Sequence, residues 1–519
     1  IAMSEPFYIT TAISYPNGRP HIGHAYEAIC ADAIARYYRL SGRDVRLITG
    51  TDEHGLKMVQ TARDAGRETI SLADEMSSYF IEMCDILNIQ HDGFRRTSEA
   101  AHHEASKALW KAMEANGDLY LDRYEGWYSV RDEAFYAEDE LETGEGGEKL
   151  SPQGTPVEWT AEETWFFKLS KYQDKLLKLY QEHPEFIQPE SRRNEVMRFV
   201  EGGLRDLSVS RTSFDWGVPV PGSPGHVMYV WVDALTTYMT GVGYPDTEGL
   251  FAKYWPADLH LIGKDIVRFH AVYWPAFLMS ADLPLPKQVF GHGFLLNRGE
   301  KMSKSVGNVV DPMELAQRFG VDQLRYFLLA DVVFGKDGTY SADAIVTKTN
   351  ADLANNFGNL AQRSLSMIAK NCEGKVPAAG EPTESEKQLL LDLDQCHDDV
   401  KAAMTGGLFK IDQAIDIIRE RLSATNTYFA DQAPWALRKT DPARADTVLY
   451  YTAEAIRRLA IMLRWAMPES CDKMLDLLGQ TADARDFEHL GETIEAGLAL
   501  PAPEGVFPRL ELLKDEAGA

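Results

Sequence analysis

The chain has 519 residues, 45% apolar and 25% charged, with 79 acidic against 53 basic side chains and a formal charge of −26. This is the composition of a soluble globular protein of roughly three domains, long enough to bury its core without covalent staples. It excludes a generally basic nucleic-acid coat, although a local basic stripe suffices for nucleic-acid contact. The five cysteines, Cys30, Cys84, Cys372, Cys396 and Cys471, form no C-x-x-C pair. Neither a disulfide framework nor a zinc knuckle is therefore expected, and scattered free thiols suit a reducing cytoplasm. No run of about eighteen apolar residues signals a membrane span.

Ile1 and Ala2, ahead of Met3, are read as added residues, and the chain then enters a strand without a signal-peptide pattern. Phe7, Ile9, Thr11 and Ile13 alternate along one face of that strand. Pro16-Asn17-Gly18-Arg19-Pro20 is turn chemistry. A helix is predicted from near His21 to about Leu40, stopped at Gly42, with a second strand over Val45–Thr49. Strand, helix and strand make a βαβ unit and hence a parallel sheet. From about 117 to 220 short aromatic strands, Tyr120–Ser129 and Thr164–Leu169, surround an acidic glycine-rich loop, Glu138–Gly147, and read as an insertion. The α/β pattern returns near 225, with strands at Leu259–Ile262 and Val289–Phe290. From about 350 to 500 the pattern is helical, as in Leu408–Tyr428 and Thr447–Met467, and 501–519 reads as a tail. The expected fold class is α/β: a doubly wound, Rossmann-like parallel sheet split by an insertion, then an all-α bundle. The expected divisions are 3–116 and 221–340 for the two halves of the sheet domain, 117–220 for the insertion, 341–500 for a stem-contact segment and bundle, and 501–519 for the tail.

Two constellations carry chemistry. His21-Ile22-Gly23-His24 stands where a helix begins, and a helix N-terminus offers free N–H groups and partial positive charge to phosphate. Two histidines there can donate to phosphate oxygens, and Gly23 leaves room for a flat base against the backbone. Lys301-Met302-Ser303-Lys304-Ser305, after Asn297-Arg298-Gly299-Glu300, is a loop whose lysines can wrap polyphosphate and neutralise a leaving pyrophosphate. Each alone also fits a plain role, a helix cap or a solvated basic loop. Occurring in order, each beside a strand of an α/β pattern whose ligands gather at the strands' carboxyl ends, they reinforce one another.

The pair HIGH and KMSKS resembles the signature of class I aminoacyl-tRNA synthetases. Further segments, Ile13-Ser14-Tyr15-Pro16-Asn17-Gly18, Gly50-Thr51-Asp52-Glu53-His54-Gly55, Tyr229-Val230-Trp231-Val232-Asp233-Ala234 and Ile262-Gly263-Lys264-Asp265-Ile266, resemble the methionyl-tRNA synthetases over about residues 5 to 470. The resemblance implies activation of L-methionine by Mg2+-bound ATP and transfer to tRNA(Met), the initiator included. It implies His21, His24, Lys301 and Lys304 as catalytic residues. ATP would be held by these together with Gly23, Glu27, Gly263, Asp265, His292 and Gly293. It implies a methionine pocket of Ile13, Tyr15, Trp231, Ala234, Tyr238, Ile266, His270 and Trp274, with Asp52 on the ammonium group. A thioether is polarizable and packs well on aromatic rings, and Tyr15 and His270 can add a polar touch that tells sulfur from methylene. Leu235 stands where many relatives carry proline. Many relatives also bind zinc through cysteine pairs in the insertion. The matching stretch here, Glu125 to Glu133, has none, so no structural zinc is expected, and Trp127, Tyr128, Phe135, Tyr136 and Trp159 are expected to support that fold instead.

The C-terminal helices resemble the family's anticodon-binding bundle at Asn359, Arg363, Pro434 and Trp435. A tryptophan can stack on an unpaired base while Asn and Arg read base edges. Arg421, Arg438, Lys439, Arg457, Arg458 and Arg464 are candidate phosphate contacts. No dimerisation segment follows, so a cytoplasmic monomer is expected. A sibling synthetase for leucine, isoleucine or valine would carry a larger editing insertion, a nucleotidylyltransferase would leave the helical region unexplained, and a tRNA-binding relic would have no need of intact histidines and lysines.

Overall fold

Pro6–Thr11 forms β1, Ile22–Leu40 forms α1 and Asp44–Thr51 forms β2, and β1 runs parallel to β2 from Pro6 opposite Asp44 to Thr10 opposite Ile48. The βαβ unit is thus present in the computed structural model, which describes residues 3–303 and 306–513. α1 ends where expected: Ser41 closes it and Gly42 takes φ +89°, which glycine adopts without a Cβ clash. One expectation changes. β1 stops at Thr11, so Ile13 lies in the following loop, and Tyr8 and Thr10 are as buried as Phe7 and Ile9. β1 is central in a sheet covered on both faces, and such strands carry no alternation.

Further strands that frame the site are β3 (Gly93–Arg96), β4 (Leu119–Ser129), β5 (Ala134–Tyr136), β6 (Glu158–Phe167), β7 (Ile187–Gln188), β8 (Leu259–Gly263) and β9 (Val289–His292). The main sheet runs β3-β2-β1-β8-β9-β7, every pair parallel. The chain winds outward in opposite directions from β1 and β8, so a crevice opens at the carboxyl ends of that pair. The loop after β1 is pinned there: Ser14 N donates to Gly50 O at 2.9 Å and Asp52 N donates to Ser14 O at 2.8 Å.

β4, β5 and β6 form the antiparallel sheet of the insertion, which returns through β7 to become an edge of the main sheet. Tyr128 packs on Phe135 at 4.8 Å, and Tyr128 and Tyr136 are buried. Trp159 departs from the expected aromatic core: it meets Trp127 at 5.3 Å but stays 57% exposed, because it lies on the outer face of β6.

Beyond the sheet the chain is helical. The predicted helices occupy Ile411–Gln432 and Pro442–Leu463. Arg325, fully buried, joins the two regions: it pairs with Asp32 of α1 at 2.7 Å and donates to Ala466 O at 3.0 Å. The segment expected as a tail is docked as far as Leu512. Phe507 is buried against Phe357 (5.8 Å), and Asn350 exchanges hydrogen bonds of 2.7 and 2.9 Å with Leu510. Its prolines forbid regular structure, but its apolar side chains still find the body of the bundle.

Candidate active site

His21 is the N-cap of α1. Its Nδ1 accepts from Gly23 N at 2.9 Å, and Nδ1 of His24 accepts from His21 N at 3.0 Å, so the two imidazoles make a reciprocal capping box. With Nδ1 accepting on both rings, each neutral imidazole carries its proton on Nε2. Burial, together with nearby Lys301, pushes His21 down to about 4, and burial beside His21 pushes His24 well below its usual value. Both rings are therefore neutral Nε2–H donors at neutral pH. The capping role that the bare sequence allowed is real, and it is what aims the donors.

His21 and His24 line a cleft of about 1000 Å³ together with Met302 and Ser303 of the lysine loop and Arg131 from the insertion. Lys301 lies near enough to depress His21, with its ammonium 4.4 Å from the Phe294 ring centroid. Asn308 braces the loop, accepting from Ser303 N at 3.0 Å and donating to Lys301 O at 3.2 Å. Ile22 N donates to Val310 O at 3.0 Å, tying the start of α1 to the end of the loop. Lys304 lies outside the described residues.

On the other side of α1, His292 at the end of β9 meets Glu27 at 2.8 Å, and its Nδ1 donates to Gly293 O at 2.7 Å. Burial opposes protonation of His292, but both nitrogens face acceptors and its pKa is raised. Gly263 ends β8 at the crevice, where a Cβ would come within 2.7 Å of Asp265 Oδ1. At Gly293 a Cβ would strike the Lys336 backbone at 2.3 Å. Backbone stands in the way at Gly293, so that position needs glycine, whereas at Gly263 only the Asp265 side chain would have to shift.

Of the residues predicted for the amino-acid pocket, Trp231, Tyr238, His270 and Trp274 form one aromatic cluster. Trp231 and Ala234 lie on the helix Val230–Thr240, with Leu235 fully buried in it. Trp231 stacks on Phe269 at 4.0 Å and meets His270 edge-on at 5.8 Å. Tyr238 contacts His270 (5.5 Å) and Trp274 (6.3 Å), and Trp274 Nε1 donates to His260 at 3.1 Å. Ile266 is partly buried against this cluster, and Ile13 is half-buried in the loop above β1. Tyr15 packs on a separate small cluster with Met58 and Trp216.

Asp52 is buried at the carboxyl end of β2, and its Oδ1 has no partner. It caps no helix: the next one, Leu56–Asp64, begins at Gly55 without a side-chain cap. Burial, then the Asp233 and Glu133 carboxylates, push Asp52 well above the usual range. Asp233 goes the other way. Burial opposes its ionisation, but His54 at 3.2 Å and His102 at 3.3 Å outweigh that and hold it low. An acid left without a cation beside one already satisfied by two imidazoles is a site that lacks a positive charge. His54 and Asp233 lay inside the segments singled out in the sequence, but nothing there paired them. His102, Phe269, His260 and Glu133 carried no local signal at all.

The insertion holds no cysteine cluster. Asp132 instead accepts from Ser151 (2.7 Å), Thr155 (2.8 Å) and Tyr136 (2.9 Å), and Ser129 meets Thr155 at 2.7 Å. Hydroxyls and one carboxylate, already bonded to one another, do not fit zinc, which takes thiolate and imidazole in structural sites.

In the bundle, Arg363 lies over Phe429 (5.1 Å) and over Trp435 (5.0 Å), which is 43% exposed. Asn359 precedes Arg363 by about one turn on the helix Asn359–Asn371, and Pro434 opens the helix that carries Trp435. Most of the other basic candidates are committed elsewhere. Arg457 and Arg458 are buried on Glu454, Arg464 pairs with Asp472 at 2.9 Å, and Arg438 pairs with Asp446. The acid-rich composition supplies these partners, so the arginines serve the bundle rather than a phosphate backbone.

Comparison with known proteins agrees with this geometry. The family model "tRNA synthetases class I (M)" matches residues 7–365, and "Anticodon binding domain of methionyl tRNA ligase" matches residues 376–517. The methionine–tRNA ligase of Brucella suis biovar 1 (strain 1330) is 60% identical over 97% of this chain and 98% of its own length. That of Rhizobium meliloti (strain 1021) is 59% identical over 98% of each chain. The structure of Mycobacterium tuberculosis methionyl-tRNA synthetase in complex with methionyl-adenylate superposes with a TM-score of 0.95 at 57% identity, covering 97% of this chain and 100% of that one. With matches that run nearly end to end in sequence and in fold, the chain belongs to the methionyl-tRNA synthetases of class I.

Proposed function

We infer that this chain is a methionine–tRNA ligase, which converts L-methionine and ATP to methionyl-adenylate and pyrophosphate and then transfers methionine to the 3′ end of tRNA(Met), initiator included. The observation that carries the site assignment is the paired histidine cap of α1, with two neutral Nε2–H donors facing the cleft shared with the lysine loop.

In the first step the methionine carboxylate attacks the α-phosphorus of ATP in line and pyrophosphate leaves. No protein atom forms a bond, so catalysis is positioning and stabilisation of phosphate charge. The α1 N-terminus, His21 and His24 donate to phosphate oxygens, Gly23 admits the base, and Lys301 and Lys304 neutralise the leaving pyrophosphate. Glu27, Gly263, Asp265, His292 and Gly293 line the nucleoside side. Asp52 takes the ammonium, and Ile13, Tyr15, Trp231, Ala234, Tyr238, Ile266, His270 and Trp274 enclose the side chain. In the second step a terminal ribose hydroxyl of tRNA attacks the adenylate carbonyl and AMP leaves, while Asn359, Arg363, Pro434 and Trp435 hold the anticodon.

Among the described residues no group of three or more His, Cys, Asp or Glu is arranged to hold a metal ion. Magnesium would come with the ATP as part of the substrate, held through the phosphates. No helix among the described residues is long and apolar enough to cross a membrane. A cytoplasmic monomer is the proposed working form, and light scattering that gives a stable dimer would overturn it. The function itself is tested by exchange of labelled pyrophosphate into ATP, run with each standard amino acid in the absence of tRNA. Exchange with methionine alone is expected. Exchange with another amino acid would discard the pocket assignment and keep the synthetase.

A further inference from the structure

The turn between β4 and β5 places Glu133 at φ +51°, a left-handed conformation that a residue with a Cβ disfavours. Its side chain does not turn out to water. It is buried, and it crosses to the catalytic domain, where Oε1 accepts from the Tyr15 hydroxyl at 2.8 Å, a partner 118 residues away. The backbone N–H of Lys57 also donates to it. Gly55 makes the slot: a Cβ there would lie 1.9 Å from Glu133 Oε1. The Tyr15 hydroxyl in turn accepts from Met58 N at 3.1 Å, so both of its hydrogen-bonding roles are used. The preceding residue, Asp132, is fixed by Tyr136, Ser151 and Thr155, so the tip of the insertion cannot swing without breaking that knot. A disfavoured turn, a buried carboxyl and a slot made by glycine thus converge on one phenol.

We propose that Glu133 is a positioning residue of the methionine site, through which the insertion holds the Tyr15 ring in place at the amino-acid pocket. This rests on the reading that Tyr15 faces methionine. An unanchored ring would be free to leave its rotamer, and the ligand would have to order it on binding. Methionine affinity therefore depends on a contact made by the insertion, while the ATP subsite at His21 and His24 does not touch Glu133.

The test is pyrophosphate exchange with KM measured separately for methionine and for ATP. Glu133→Ala and Glu133→Asp, which is one methylene too short to reach, are expected to raise methionine KM about tenfold, equivalent to about 1.4 kcal/mol. ATP KM and kcat should stay within about twofold. Glu133→Gln keeps an acceptor oxygen and should restore methionine KM. In a Tyr15→Phe background Glu133→Asp should add nothing, because the shared bond is already gone. Should Glu133→Ala fail to fold, the Asp and Gln variants still decide the matter. A purely structural role would move both KM values together and add to Tyr15→Phe, and that outcome overturns the proposal. Tyr15→Ala separates the two ideas. If it leaves methionine KM unchanged, the pocket reading itself is wrong. If it raises methionine KM while the Glu133 variants are silent, only the positioning role fails.

Discussion

The Tyr238 hydroxyl donates to Nε2 of His270 at 2.6 Å, because the other ring nitrogen is already donating to Ile266 O at 2.9 Å. Both imidazole nitrogens are thereby engaged, and the polar atom left to approach a thioether is the Tyr238 oxygen. Tyr238→Phe would leave a buried acceptor unpaired, at a cost of about 1–3 kcal/mol. Methionine KM is expected to rise about tenfold with ATP KM unchanged, in pyrophosphate exchange. Equal shifts in both constants would remove Tyr238 from the amino-acid side.

Burial holds His270 at about 4 against an ordinary 6.5. Between those values the unfolded chain binds a proton that the folded chain refuses, so stability falls as pH drops below about 6.5 and goes on falling toward 4. At pH 5 this one residue accounts for about 2 kcal/mol. Thermal midpoints measured from pH 7.5 to pH 5 should fall, and His270→Gln should flatten the slope. An identical slope in the variant would mean that His270 is not buried in its neutral form.

Asp52, pushed up by burial and by Asp233 and Glu133, gains its missing counter-charge when an ammonium arrives. Methionine binding is then expected to release a proton wherever Asp52 is still protonated, and affinity should rise with pH as Asp52 ionises. Calorimetry in two buffers of different ionisation enthalpy reads this directly. Asp52→Asn should abolish the release and raise methionine KM by about two orders of magnitude, as expected for losing one partner of a buried charge pair.

Losing a single charged contact to a phosphoryl transition state costs about 10²–10³ in rate. Lys301→Ala and Lys304→Ala should each lower adenylate formation by about that factor while methionine binding, followed by tryptophan fluorescence, stays near its starting value. Unchanged pyrophosphate exchange in both would sink the role given to the loop.

Trp435 is half-exposed beside Arg363, and stacking of a base on an aromatic side chain is worth about 1–3 kcal/mol. Trp435→Ala should lower kcat/KM for tRNA about 5- to 150-fold and leave tRNA-independent exchange intact. A matching loss in exchange would show instead that the residue supports the fold.

The residues that could be read ahead of the structure are those whose role is set within a few positions of themselves. His21 and His24 lie within one helical turn, so the cap that aims them follows from local order, as does the βαβ unit around them. Trp231, Tyr238 and Trp274 were reachable through resemblance, and in the structure Trp231 and Tyr238 both touch the ring of His270 while Tyr238 also meets Trp274. Trp159 was misjudged because an aromatic residue on a strand reads the same whichever face of the sheet is covered. Ile13 was misjudged because alternation was assumed for a strand that is buried on both faces.

By itself the sequence determined the class of fold, the two phosphate-handling motifs and the helical region, because hydrophobic period, turn chemistry and capping are short-range properties of the chain. Only the tertiary structure decided which charges are satisfied. It gave Asp233 two histidines, left Asp52 without a cation, and buried Arg457 and Arg458 on Glu454. It also set Glu133 against Tyr15 across 118 residues. The strength of a charge or hydrogen bond depends on which distant side chains exclude water from it, and that is settled when the sheet, the insertion and the bundle close on one another.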